Sequence, residues 1–229
     1  KSTYGTGCFL MANTGKKRQN SSNKLLTTIA YQFDDVCYAL EGSIFMAGAN
    51  FQWLRDKMNF FEDVEESEEL AKKADPNANV FLIPAFVGLG APHWVPDARG
   101  AIFGLTRDAG KEELSLATHE AIAFQTKEII SSLENDGVKV DSVRIDGGLT
   151  SNAFFNQILS NVIEREVLCS KTVESTALGA AYLAGIGSGE VSLKDISKNW
   201  SPKSEYNPDS SYDLGRYDIW KEFLGRLIG

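Results

Sequence analysis

Hydrophobic positions recur along this chain at two different periods, and the switches between them predict its elements. Val143 and Ile145 alternate with polar neighbours as a strand does, whereas Phe155, Ile158, Leu159 and Val162 follow helical spacing. Asp146, Gly147 and Gly148 between them therefore read as a strand-to-helix turn. Nearer the start, residues 8–12 and 25–31 are apolar or strand-prone and are separated by Asn13, Thr14, Gly15 and a basic, polar linker, which predicts a long hairpin. A short strand is expected at 36–40, after which Gly42 and Ser43 introduce a helix carrying Ile44, Ala47, Phe51, Leu54 and Met58 at steps of three and four. Residues 80–86 read as a buried strand in which Pro84 argues for an edge or a bulge. A further strand follows at 101–105.

The second half is more regular. Residues 112–133 predict a long helix with acids in its first turn and Leu114, Ala117, Ala121, Ile122, Ile129 and Leu133 facing inward. A strand is expected at 166–169, then a helix capped by Ser175 with Ala177, Ala181 and Ala184 on one face, small enough to admit a close helix contact. A last helix from Arg216 should bury Tyr217, Trp220, Phe223 and Leu224. Strands first, then alternating helices and strands, predict an α/β layer architecture with a mixed sheet. Two stretches follow neither period. Residues 88–100 read as an ordered loop, a common seat of function, and the acidic run 62–69 reads as a solvated loop and helix face.

Composition changes this picture in what it excludes. With 229 residues, 43% of them hydrophobic, the chain is long enough for one large domain or two small ones. A formal charge of −8 argues against nucleic acid or an anionic membrane as partner, since both demand clustered Lys and Arg. Cys8, Cys37 and Cys169 are odd in number and far apart, which indicates neither a disulfide framework nor a zinc site and fits a reducing cytoplasm. There is no apolar run near 18 residues, and His93 and His119 are too few for a histidine-rich metal site. The numbering opens at Lys1, without Met and directly before a glycine-threonine cluster, so the chain is expected to be part of a longer polypeptide.

Three places offer chemistry. At Gly147–Gly148 the absence of Cβ lets a ligand approach the backbone, and the helix that follows would aim free N–H groups at the same spot, which suits a phosphate or nucleotide. Gly5 and Gly7 flank Thr6 and leave its hydroxyl and neighbouring amides unobstructed, as a phosphate contact needs. Gly48 and Gln52 sit four apart on the predicted helix, where the glycine admits a flat group and the glutamine can hydrogen-bond to it. Each has a plain structural alternative: a tight turn, a glycine-rich turn, helix packing beside a solvated side chain.

Taken together, residues 3–9, 13–15, 39–42, 88–104, 146–148 and 177–185 resemble, in order and spacing, the carboxy-terminal half of carbohydrate kinases named for their FGGY motif, in the branch that phosphorylates glycerol. The likeness runs from Lys1 to about Gly185 and weakens through the tail. It implies a ribonuclease H-like, actin-type ATPase fold in two lobes, of which residues 1–229 form the nucleotide-binding lobe, with ATP, Mg2+ and glycerol meeting in the cleft. By similarity Thr6 contacts the terminal phosphates, Gly48 and Gln52 lie along the nucleotide, Gly148 and Asn152 contact its adenosine and inner phosphate, and Phe9 lines the glycerol pocket. The catalytic aspartate of such kinases lies upstream of this segment, and Asp146 matches the nucleotide motif instead. Val95 departs from the acidic residue usual in that loop. The implied activity is transfer of the ATP terminal phosphoryl group to glycerol, in the cytoplasm, without nucleic acid or membrane. A kinase for another polyol or sugar and a non-catalytic nucleotide-binding module stand as alternatives, and homo-oligomer formation by the full-length protein is left open.

Overall fold

The computed structural model of this protein describes residues 1–33, 35–75 and 77–229, the side chains of Lys198 and Asn199 excepted. Its strands are β1 (Ser2–Tyr4), β2 (Cys8–Gly15), β3 (Leu26–Gln32), β4 (Val36–Ile44), β5 (Phe81–Ile83), β6 (Ala101–Phe103), β7 (Ser142–Asp146), β8 (Glu166–Cys169) and β9 (Ser204–Tyr206). Its α-helices are α1 (Gly48–Asp56), α2 (Glu66–Ala71), α3 (Lys111–Asn135), α4 (Ala153–Ile163), α5 (Ser175–Gly187), α6 (Leu193–Asn199) and α7 (Gly215–Ile228). Seven strands form one mixed sheet in the order β3-β4-β2-β1-β7-β8-β9, and β5 pairs with β6 separately. The β1–β7 and β7–β8 pairs are parallel and the others antiparallel.

The hairpin expected of 8–12 with 25–31 does not form. β2 and β3 do not pair with each other; both pair with β4, which lies between them. β4 is also longer than expected, because Gly42 and Ser43 continue the strand and the helix starts only at Gly48. A glycine is required inside this strand because a Cβ on Gly42 would lie 2.5 Å from Cγ2 of Ile129 on α3. It marks a close approach of helix to sheet, not a helix start. Met58 lies beyond α1 and is exposed. Ser175 opens α5 without capping it: Glu174 holds the cap position, and the Ser175 hydroxyl donates to Thr172 O at 2.9 Å. No residue of α5 is buried.

α3 is the spine of the core, with Ile122, Phe124, Ile129 and Leu133 buried against Leu40, Ile44 and Phe155. Tyr4 ties three elements together. Its ring meets Phe155 edge-on at 5.1 Å, and its hydroxyl is 3.0 Å from Thr126 Oγ1. α7 closes the other side, where Trp220 Nε1 donates to Leu82 O at 2.9 Å and Phe124 lies 5.6 Å from the Trp220 ring. Arg216 donates to both oxygens of Glu120, at 2.8 and 2.7 Å, and to Ala78 O at 2.9 Å; Tyr212 donates to the same carboxylate at 2.8 Å. In the loop of residues 88–100, Val95 exchanges backbone hydrogen bonds with Leu89 and packs its side chain on the core, so backbone pairing and apolar contact hold this position without a carboxylate.

Candidate nucleotide-binding site

The turn between β1 and β2 is clamped to the start of α1. Ala47 and Ala49 N–H donate to Thr6 O at 2.8 and 3.1 Å, and Gly48 N–H donates to Gly5 O at 2.9 Å. The approach is so close that a Cβ on Gly48 would stand 2.7 Å from Gly5 O. Gly5 N–H donates to Gly7 O at 2.9 Å, so this amide, expected from the sequence to be free, is occupied. The clamp leaves Thr6 exposed, with no partner for its hydroxyl among the described residues. Gln52 follows one turn along α1 from Gly48, on the same side of the helix, and is likewise exposed.

The second turn ends β7. Gly147 has φ +95°, and a Cβ there would run into the backbone of Tyr4 on the neighbouring strand. Gly148 is the opposite case, exposed and with nothing within 4 Å of an added Cβ. The direct strand-to-helix junction expected from the sequence is interrupted by a 3-10 turn over Gly148–Ser151, closed by Thr150 N–H donating to Gly147 O at 3.1 Å. Asn152 then caps α4, its Oδ1 accepting from Phe155 N–H at 2.8 Å. One of the N–H groups expected to be free for a ligand is therefore taken by the helix's own cap.

The two turns and the first face of α1 enclose a cavity of about 450 Å³. Thr6, Gly48, Gln52, Gly148 and Asn152 all line it, brought together from three separated segments of the chain. Phe9 does not; it is 52% exposed on β2, opposite Thr3 and Ser43. Phe51 and Leu149 give the cavity an apolar part, and Val64, Glu65 and Glu68 complete its wall. The acidic run is thus not wholly a solvated face. Glu68 lines the cavity and also pairs at 2.7 Å with Lys72, the residue that caps the C-terminus of α2. Nothing in the sequence spacing singled these carboxylates out, because α2 is only six residues long and too short for a clear period. Asp146 is buried and is not part of the lining. Lys1 Nζ stands 3.0 Å from its Oδ1, off the hydrogen-bonding direction, so the contact is coulombic.

Behind the wall lies His119 of α3, fully buried. Its Nδ1 is 2.8 Å from Ser115 O, which can only accept, so Nδ1 carries the proton. The other nitrogen, Nε2, lies 3.2 Å from Asn152 Nδ2 and accepts from it in the neutral ring. The ring also meets Phe51 edge-on at 4.6 Å and Phe154 at 5.4 Å. Burial pushes the imidazole down to about 4. Among the described residues, no group of three or more His, Cys, Asp and Glu side chains is arranged to hold a metal ion.

The sequence profile of the FGGY family of carbohydrate kinases, C-terminal domain, matches residues 1–188. The glycerol kinase of Alteromonas mediterranea is 46% identical over 231 residues, covering 99% of this chain and 47% of that protein. Glycerol kinase 1 of Clostridium tetani is 49% identical over 212 residues, covering 91% of this chain and 43% of that protein. The chain therefore spans about half the length of the curated relatives it matches. The crystal structure of Plasmodium falciparum glycerol kinase with ADP superposes with a TM-score of 0.87 at 37% identity, over 99% of this chain and 46% of that one. A xylulose kinase from Lactobacillus acidophilus, at 24% identity and a TM-score of 0.85 over 99% of this chain, shares the fold. The mixed sheet with flanking helices is the ribonuclease H-like fold of actin-type ATPases, and the chain belongs to the FGGY family of carbohydrate kinases, whose C-terminal domain it carries.

Proposed function

We propose that this chain is the carboxy-terminal, nucleotide-binding lobe of a cytoplasmic kinase that transfers the terminal phosphoryl group of ATP to a primary hydroxyl of glycerol, giving glycerol 3-phosphate. The observation that carries the reading is the single cavity shared by Thr6, Gly48, Gln52, Gly148 and Asn152. A likeness to glycerol kinases at 46% and 49% identity, and to a glycerol kinase crystallised with ADP, supports the substrate assignment.

In this reading Thr6 donates its unclaimed hydroxyl to the terminal phosphates, held in place by the clamp on α1. Gly48 and Gln52 border the middle of the nucleotide, and Gly148 with Asn152 holds its adenosine and inner phosphate. Phe51 and Leu149 supply the apolar surface that a purine needs, and Glu65 and Glu68 offer acceptors to its hydroxyl or amino groups. Phe9, exposed beside the turn, lines the glycerol side of the cleft. Positioning and charge neutralisation supply most of the rate in such a transfer. The proton acceptor for glycerol belongs to the amino-terminal half, as do the carboxylates that would hold Mg2+; the described residues of this chain do not assemble a metal site by themselves.

The test is Thr6→Ala in the intact gene product, followed by glycerol-dependent ADP release. A hydrogen bond to a charged group contributes roughly 1.5 to 3 kcal/mol, and one that tightens as the phosphoryl group moves appears in kcat. The expected loss is about ten- to 150-fold in kcat with KM for ATP little changed. A raised KM at constant kcat means that Thr6 binds ground and transition states alike, and wild-type values for both, or no glycerol-dependent turnover in the parent protein, overturn the assignment.

A further inference from the structure

We propose that His119 is a positioning residue of the nucleotide cavity, acting through Asn152; the inference rests on the nucleotide reading of that cavity. Asn152 has two tasks that compete for one short side chain. Its oxygen caps α4 by accepting from Phe155 N–H at 2.8 Å, which fixes which end of the amide faces the helix. Its NH2 group is then turned toward α3, where His119 Nε2 takes one N–H at 3.2 Å. The other N–H has no partner among the described residues, and Asn152 lines the cavity. With the oxygen and one N–H both held, the amide cannot rotate, and its remaining N–H is offered in one direction.

The imidazole is itself held on every side. Ser115 O accepts from Nδ1, which forces Nε2 to be the acceptor that Asn152 needs. Phe51, which lines the cavity, packs edge-on against the ring, so His119 supports two neighbouring parts of the wall. A leucine at position 119 would keep an apolar side chain of similar size against Phe51 and Phe154 but would offer no acceptor. It would leave the Asn152 amide with one anchor in place of two, free to swing about its cap bond. Among the charged groups, Glu68 of α2 acts on the ring and favours its protonated form; burial outweighs it, so the ring remains the acceptor at neutral pH.

The experiment is a double-mutant cycle in the intact gene product, with His119→Leu, Asn152→Ala and the pair, reading ADP affinity by calorimetric titration and folding by thermal melting. His119→Leu is expected to weaken ADP roughly threefold to tenfold, the weight of one neutral hydrogen bond. His119→Gln, which keeps an acceptor, should recover most of that. In the Asn152→Ala background, His119→Leu should have no further effect on ADP, because the amide it positions is gone. A merely structural role would lower the melting temperature and weaken ADP equally in both backgrounds. Native ADP affinity in a folded His119→Leu protein, or a loss undiminished in the Asn152→Ala background, overturns the inference. If Asn152→Ala itself leaves ADP affinity unchanged, the nucleotide reading of the cavity fails with it, and the two failures are thereby told apart.

Discussion

The two glycines that end β7 are adjacent in sequence and make opposite demands, which gives a sharp test of the assigned site. Gly148 is exposed, its φ lies outside the left-handed region, and an added Cβ meets nothing within 4 Å. Gly148→Val should therefore fold, with a stability change within about 1 kcal/mol, partly offset by the reduced freedom of the unfolded chain. The branched side chain has to stand in the cavity of about 450 Å³ that Gly148 lines. Forcing extra methyl groups into a filled space costs about 1 to 3 kcal/mol in protein cores, and the same overlap with a bound nucleotide corresponds to roughly a fivefold to 150-fold loss of affinity. Gly147 is the control. At φ +95° and against the Tyr4 backbone, Gly147→Ala adds backbone strain of about 1 to 3 kcal/mol to a steric overlap of similar size. Its melting temperature should fall by at least about 4 °C. Calorimetric titration with ADP and a melting curve on each variant separate the two effects. Unchanged ADP affinity in folded Gly148→Val refutes the site, and a Gly147→Ala protein as stable as the parent refutes the account of the turn.

Two further outcomes follow from the buried polar groups. Arg216→Met should cost about 3 to 5 kcal/mol in urea denaturation, because it strands the Glu120 carboxylate, 1% exposed, without its cation, whereas Glu120→Leu combined with Arg216→Met should recover most of that stability; a single variant as stable as the parent would contradict it. His119 binds its proton near 4 in the folded chain and near 6.5 when unfolded, so the folded state holds fewer protons between those values and stability must fall as pH drops through this window, by about 2 kcal/mol from pH 7 to pH 5. His119→Leu removes that contribution, and equal pH slopes for the variant and the parent would show that His119 does not titrate as its burial dictates.

The parts of the fold legible in the sequence were those whose signal is local. α3, α4, β7, β8 and α7 follow one period each over their length, and the structure has them where the periodicity puts them, to within a few residues. The failures share a cause. Gly42 and Ser43 carry the local signature of a helix start, yet Gly42 pairs with Leu10 inside β4, and it is a glycine because Ile129, 87 positions later in the chain, leaves no room for a side chain. The order of β2, β3 and β4 is also non-local, since the register of β2 against β4 places β4 between two strands that neighbour each other in the sequence.

The same distinction governs the cavity. Its glycines were visible because a missing Cβ is a property of a single position, and the pair Gly48 and Gln52 because i and i+4 share a helix face. Glu65, Glu68 and His119 could not be found that way. Each takes its role from a contact between elements: Glu65 and Glu68 by lining a cavity built mostly from other segments, and His119 by facing, across 33 positions of sequence, the amide that caps α4. A buried histidine on an apolar helix face reads in sequence as packing, and in this chain its ring does pack, against Phe51 and Phe154. What turns it from packing into positioning is that both ring nitrogens have partners that fix the tautomer, and that one of those partners reaches the cavity.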